Sequence, residues 1–208
     1  MIHSWNVGGL EIGIDLEKWN ACIATHQTRD CFGAEKYFHL HSQVVKFADL
    51  AISAGLTGGG LKVLDIASGA GVWGAVLQSL GYNVTLADKS DRSTEFYRDA
   101  VAALGLRRTV SFHYSHISHK FTADPLPADI GMFDVISAIA CAPMSTWGER
   151  EYRIFIGDCG LHLNPGGFVL LSPNKTGRES ELHNILKPED ARKTEKLTWY
   201  KINKGEEV

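Results

Sequence analysis

Two aspartates close neighbouring apolar runs: Asp65 follows Val63-Leu64, and Asp88 follows Val84-Thr85-Leu86-Ala87. Between them the small residues Ala67, Ser68, Gly69, Ala70 and Gly71 lead into an apolar stretch, Val72–Leu80. Glycine suits a backbone that turns sharply and lies close to a ligand, because a β-carbon would block both. A strand, a small-residue loop and a helix in that order predict a nucleotide-type cofactor at the turn. Asp65 is expected to accept a hydrogen bond from the loop backbone and hold the turn in shape. The spacing Gly69-x-Gly71-x-x-Gly74, with Asp88 19 residues beyond Gly69, also matches the dinucleotide pattern. Two residues oppose a dinucleotide. Asp65 would repel a nearby pyrophosphate, and Trp73 would crowd the helix N-terminus on which a pyrophosphate rests. An NAD(P)-dependent oxidoreductase using the Gly69–Gly74 loop is the rival reading.

The elements that hold this turn follow from the hydrophobic pattern. Leu61–Ile66, Asn83–Ala87, Thr109–Tyr114, Phe133–Ile139 and Phe168–Ser172 read as strands. Helical stretches lie between them at Val72–Leu80, from Ser90 or Asp91 to Leu104, and at Trp147–Leu163. Apolar strands alternating with helices predict an α/β fold, a doubly wound and mainly parallel sheet with helices on both faces and right-handed crossovers. Upstream, residues 1–34 show little sustained periodicity apart from a short amphipathic helix at Leu16–Ile23, while Ala34–Ala54 reads as a firmer helix closed by Gly55. Downstream, Glu179–Leu186 reads as a helix and Lys196–Ile202 as a final strand.

Bulk properties narrow the class. The chain has 208 residues, a net charge of −3, 44% apolar and 22% charged residues, so no positive field argues for nucleic acid or an anionic membrane surface. No apolar segment approaches the ~20 residues of a membrane span. No basic stretch with a following apolar run marks a signal peptide. Four cysteines without a CxxC pair or zinc spacing fit a reducing compartment, and a cytoplasmic location is expected.

The segment Leu64-Asp65-Ile66-Ala67-Ser68-Gly69-Ala70-Gly71 resembles the first motif of class I S-adenosylmethionine-dependent methyltransferases, an acidic residue followed by Gly-x-Gly-x-Gly, with Ala67 in place of the first glycine. Phe133-Asp134-Val135-Ile136 resembles that family's fourth strand, and Leu161–Leu170, with its Asn-Pro-Gly-Gly turn, resembles the helix, turn and fifth strand. The likeness spans about residues 61–173. It implies a class I methyltransferase-like fold, with S-adenosylmethionine as cofactor and S-adenosylhomocysteine as product. It places Asp88 on the two ribose hydroxyls, since a carboxylate can accept from both at once. The family's acidic residue after the third strand is replaced by His116, so adenine contact falls to His116 and Ile117, or to Asp124 folding back. The full set of cofactor contacts implied is Tyr37, Asp65, Ala67, Ser68, Gly69, Gly71, Asp88, Lys89, His116, Ile117, Ser137 and Ala138. Residues 1–56 become a short helical cap over the cofactor and acceptor site, and residues 57–208 the S-adenosylmethionine-binding core of one structural domain. Similar folds end in an antiparallel pair of strands. The 36 residues after Ser172 leave room for one of them, and the open sheet edge would suit a homodimer.

Methyl transfer depends mainly on alignment, and a general base matters only where the acceptor must lose a proton early. The candidate bases are Tyr37 and His41, which share a helix face, with His39 about 160° away at 100° per residue. His41 also falls in the apolar stripe of Phe38, Val44 and Ala48, where a core histidine would sit. The run His113-x-x-His116-x-x-His119 does not put three imidazoles on one strand face, and no metal is expected. Cys141 lacks the flanking order of a nucleophilic cysteine and reads as a small buried residue. Trp147, Glu149 and Tyr152 either line an acceptor pocket or serve the helix cap and core. The acceptor expected is a small molecule methylated at N, O or S. Methylation of RNA or protein by the same core is the alternative.

Overall fold

Strand β3 (Lys62–Ile66) sets the pattern of the molecule. Successive side chains on a strand face opposite ways, and here both directions are buried: Val63 belongs to one core cluster, Leu64 and Ile66 to another. A strand apolar on both faces lies inside a sheet covered on both sides. The computed structural model describes residues 2–27, 39–88, 94–106, 110–111, 126–141, 147–173, 191–194 and 197–205. Tyr37, Lys89, His116, Ile117 and Asp124 lie outside them, as do His113, His119 and the helix expected at Glu179–Leu186.

β3 pairs in parallel with β4 (Asn83–Asp88) on one side and β6 (Phe133–Cys141) on the other. The two-residue β5 (Val110–Ser111) continues the parallel arrangement beyond β4, and β7 (Leu163–Pro173) continues it beyond β6. β7 carries an irregularity: Leu163 pairs with Phe133, regular pairing resumes only at Phe168 with Val135, and the Asn-Pro-Gly-Gly turn bulges between them. Two strands follow, β8 (Ala191–Lys193) and β9 (Thr198–Asn203), with β9 antiparallel to both β7 and β8. The seven-stranded order is therefore β5-β4-β3-β6-β7-β9-β8. Both closing strands fit the remaining chain because β8 is only three residues long. That corrects the expectation of a single strand and moves the edge on which a homodimer was argued to the three-residue β8, an edge too short to carry that argument.

Helix α3 (Val72–Ser79) and α4 (Thr94–Ala103) cover one face of the sheet, and α5 (Glu149–Leu161) covers the other. Residues upstream of β3 add to the α3 face. They are not wholly helical as expected, since β1 (Ile2–Val7) and β2 (Leu10–Asp15) form an antiparallel hairpin. Gly8 and Gly9 turn it with φ of +56° and +87°, the left-handed pair that a two-residue hairpin loop requires. Trp5, Ile12 and Ile14 alternate into the core. α1 (Leu16–Gln27) follows and packs on α4, where the buried His26 Nε2 lies 3.0 Å from Asp99 Oδ2. α2 (Leu40–Ser53) packs along α3. Among the described residues no helix is long and apolar enough to cross a membrane.

Candidate active site

Asp65 and Ser137 are register partners on β3 and β6, and both face the layer beneath α3. Ser137 Oγ donates to Asp65 Oδ1 at 3.1 Å and accepts from the Trp73 indole Nε1–H at 3.0 Å. Asp65 is 2% exposed, and its Oδ2 has no hydrogen-bond partner among the described residues. Burial pushes the Asp65 carboxyl up to about 8, against the Ser137 hydrogen bond and with help from the nearby Asp88 charge. Asp65 therefore keeps its proton well above the usual carboxylate range. Desolvation outweighs one hydroxyl donor because a carboxylate inside the protein has lost several water contacts and regained one bond.

The loop is held by the other aspartate. Gly69 N–H donates to Asp88 Oδ2 at 2.6 Å, and Ser68 N–H donates to Ala87 O at 3.2 Å, so the turn leans on the end of β4. Asp65 was expected in that role. It does not fill it: Oδ1 accepts from Ser137, and Oδ2 accepts no bond among the described residues. Gly69 and Gly71 have φ of +54° and +78°, and a β-carbon on Gly71 would sit 3.0 Å from Leu106 and 3.1 Å from Val101. Both reasons confine Gly71 to glycine. Ala67 is the one non-glycine among the described residues in the left-handed region, at φ +57°, a conformation costing about 1–2 kcal/mol with a β-carbon. Backbone strain of this kind gathers at ligand clamps.

Trp73 is buried, its indole bound to Ser137 and its ring centroid 5.8 Å from that of Phe47. It does not crowd the N-terminus of α3, and Asp65 does not face outward to repel a pyrophosphate. Those two arguments against a dinucleotide fall. The strand order takes their place. The dinucleotide-binding fold continues 3-2-1-4-5-6 with a sixth strand at its edge, whereas here the antiparallel β9 lies between β7 and β8.

Ala138, the next residue on β6, is buried in the opposite cluster with Leu64 and Ile66, so its side chain faces α5 and not the loop. Trp147 and Tyr152 also belong to that layer, with ring centroids 5.5 Å apart. Glu149 pairs with Arg153 at 2.8 Å in the first turn of α5. Trp147 and Tyr152 are core residues and Glu149 an exposed first-turn partner of Arg153. β6 ends at Cys141, whose side chain lies outside the described set.

α2 reaches past the loop. In the segment that follows its C-terminus, Gly60 N–H bonds Gly81 O beside the C-terminus of α3, while Phe47 meets Trp73 near the start of α3. The helix therefore runs from the loop end of the sheet downward. His41, six residues before Phe47, lies roughly 9 Å farther out at 1.5 Å per residue. There it is exposed, not in the core, and lines a cavity of about 730 Å³ with residues of β1 and α1. Its ring centroid is 6.1 Å from that of Trp5. His3 and His39 line the same cavity, yet no three metal-binding side chains converge among the described residues. Sequence reasoning had no means to find the cavity or the Trp73–Ser137–Asp65 chain. Glycine pairs such as Gly8-Gly9 were the available sign of the hairpin that builds one wall.

No family model and no curated protein matches the sequence. Solved structures do match. A ribosomal protein methylase from Lactobacillus delbrueckii subsp. bulgaricus superposes with a TM-score of 0.54 at 21% identity, over 78% of this chain and 78% of that one. A methyltransferase from Pyrococcus furiosus gives 0.54 at 19%, over 77% and 81%. A 16S rRNA methyltransferase from Thermus thermophilus, solved with AdoMet and guanosine, gives 0.54 at 16%, over 98% of this chain but 50% of that one. At such identities the likeness is one of fold. Together with the strand order and the glycine loop between two aspartates, it gives this chain the fold of the class I S-adenosylmethionine-dependent methyltransferases.

Proposed function

We propose that the protein is a methyltransferase that binds S-adenosylmethionine on the Ala67–Gly71 loop and methylates a small molecule at N, O or S. The observation that carries this is that Asp65 and Asp88 both lie at the loop end of adjacent parallel strands, one with a buried oxygen lacking a partner among the described residues and the other holding the loop through Gly69. A buried carboxyl oxygen unpartnered among the described residues is an acceptor left for a ligand N–H. Gly69, at φ +54°, lets the loop backbone turn close beside a ligand. When bound, the cofactor supplies a methyl carbon on a positive sulfur, which regains the electron pair of the broken bond as the acceptor's lone pair takes the carbon.

The chain's own residues do the rest. Asp88 accepts from two ribose hydroxyls, which compete with its bond to Gly69. Asp65, kept in place by Ser137 and Trp73, faces the cofactor's ammonium end. In this scheme Lys89, His116, Ile117 and Tyr37 complete the cofactor contacts, and Ser137 acts through Asp65. The cap formed by residues 1–56 holds the acceptor, and His41 at the cavity wall takes the acceptor's proton where one must leave; Tyr37 is the second candidate. The free thiols Cys22 and Cys159 suit a cytoplasmic location.

Calorimetry with S-adenosylhomocysteine and with NADH tests the cofactor: binding of the first alone is expected, and binding of NADH alone would overturn the proposal. An acceptor screen of phenols, amines and thiols against total tRNA and ribosomal protein tests the rest. Turnover on a polymer only would replace the small-molecule reading.

A further inference from the structure

The cavity at the N-terminus of α2 has walls that point to one chemical class of occupant. At about 730 Å³ it is of the size that holds a drug-sized molecule. One wall is a run of flat rings: His3 stands edge-on to Trp5 at 4.6 Å between centroids, and Trp5 lies 6.1 Å from His41. Trp19 adds a second indole to the lining. Trp5 and Trp19, 9% and 1% exposed, form a fixed apolar backing, and the exposed imidazoles of His3 and His41 packed on Trp5 supply the ring faces on which a flat ligand can stack.

The polar groups of the lining are equally selective. Asn20, Ser42 and the imidazoles donate and accept hydrogen bonds, and no Asp, Glu, Lys or Arg lies among the described lining residues. A carboxylate, phosphate or ammonium that gave up water against the described lining would meet no carboxylate, ammonium or guanidinium there, which is the costly arrangement. A neutral ring bearing a hydroxyl or an N–H loses little and gains stacking plus one or two hydrogen bonds.

We infer that this cavity is the acceptor site and that it takes an uncharged, flat aromatic or heteroaromatic compound carrying a hydroxyl or N–H group. As an acceptor site it depends on the methyl-transfer reading above; as a ligand site it does not.

The test uses the full chain without cofactor and three probes sharing one ring: 2-naphthol, 2-naphthoate and 2-naphthyltrimethylammonium, titrated by calorimetry at pH 7. The naphthol is expected to bind at least tenfold more tightly than either charged analogue. Ser42→Trp, at an exposed position on the rim, should weaken it at least tenfold by filling the space. Should that variant not fold, His3→Ala and Asn20→Ala, also at exposed positions, should each weaken it several-fold. Equal or tighter binding of a charged probe, or naphthol binding indifferent to these substitutions, would overturn the inference. S-adenosylhomocysteine affinity is measured on the same samples. If it is absent while the naphthol series holds, the transfer reading fails and the ligand site stands; the reverse result removes the acceptor class alone.

Discussion

Asp134 and Asp65 occupy opposite ends of the same central strands and show opposite chemistry. At the N-terminal ends, Asp134 accepts from Lys62 N–H and Asn164 Nδ2–H, each at 2.8 Å, which ties together the starts of β3, β6 and β7. Those hydrogen bonds hold its carboxyl below the usual range. At the C-terminal ends, Asp65 has one hydroxyl donor, a buried oxygen without a partner among the described residues, and a carboxyl pushed up to about 8. The fold completes the hydrogen bonding of one aspartate and leaves the other incomplete. Incomplete buried polar groups cost stability, so the second arrangement is what a site left ready for a ligand looks like.

The largest effect should come from titrating Asp65. In the unfolded chain it loses its proton near 3.8, whereas in the folded protein it keeps it to about 8. Over that interval the folded state binds more protons, so unfolding free energy drops as pH rises and the drop is complete above about 8. Melting temperature of the unliganded protein should therefore fall from pH 5 to 8 and level off beyond. Asp65→Asn should remove most of that slope, by an amount worth several kcal/mol on the linkage scale. A variant with the wild-type slope would show that Asp65 ionises normally.

Next in size is Asp88→Ala, which deletes hydrogen bonds to a charged acceptor worth about 1.5–3 kcal/mol each. Affinity for S-adenosylhomocysteine in calorimetry should drop at least tenfold, with some loss of melting temperature because Gly69 loses its anchor. Unchanged affinity would place the ribose elsewhere. Asp134→Ala sharpens the contrast from the other end. It should cost about 1–2 kcal/mol in denaturant unfolding, the price of two partly exposed hydrogen bonds, and leave S-adenosylhomocysteine affinity where it was. A loss of affinity there would mean that the two ends of the sheet are coupled.

Smallest is Ala67→Gly. It relieves about 1–2 kcal/mol of left-handed strain and gives back about 0.5–1 kcal/mol of chain entropy. The net gain expected is about 0.5–1 kcal/mol, read from the denaturation midpoint. A destabilised variant would show that the alanine methyl packs usefully at the turn.

Residue order alone determined the alternation of strands and helices from Leu61 to Ser172, the position of the turn at Ala67–Gly71 and the two aspartates flanking it. Those are local facts: a strand buried on both faces reads as an apolar run, and a left-handed turn reads as glycine. The N-terminal hairpin was legible only through Gly8-Gly9 and the alternation of Ile12 and Ile14, a signal short enough to be outweighed by the helix that follows. Tertiary structure decided what the side chains do. Strand pairing puts Ser137 beside Asp65 across 72 residues of sequence, and α3 packs Trp73 inward onto that serine. The same packing commits one oxygen of Asp65 to Ser137, leaves the loop's anchoring to Asp88, and lifts His41 out of the apolar stripe onto a cavity wall. Hydrogen bonding and burial depend on which surfaces meet, and periodicity along one chain does not carry that information.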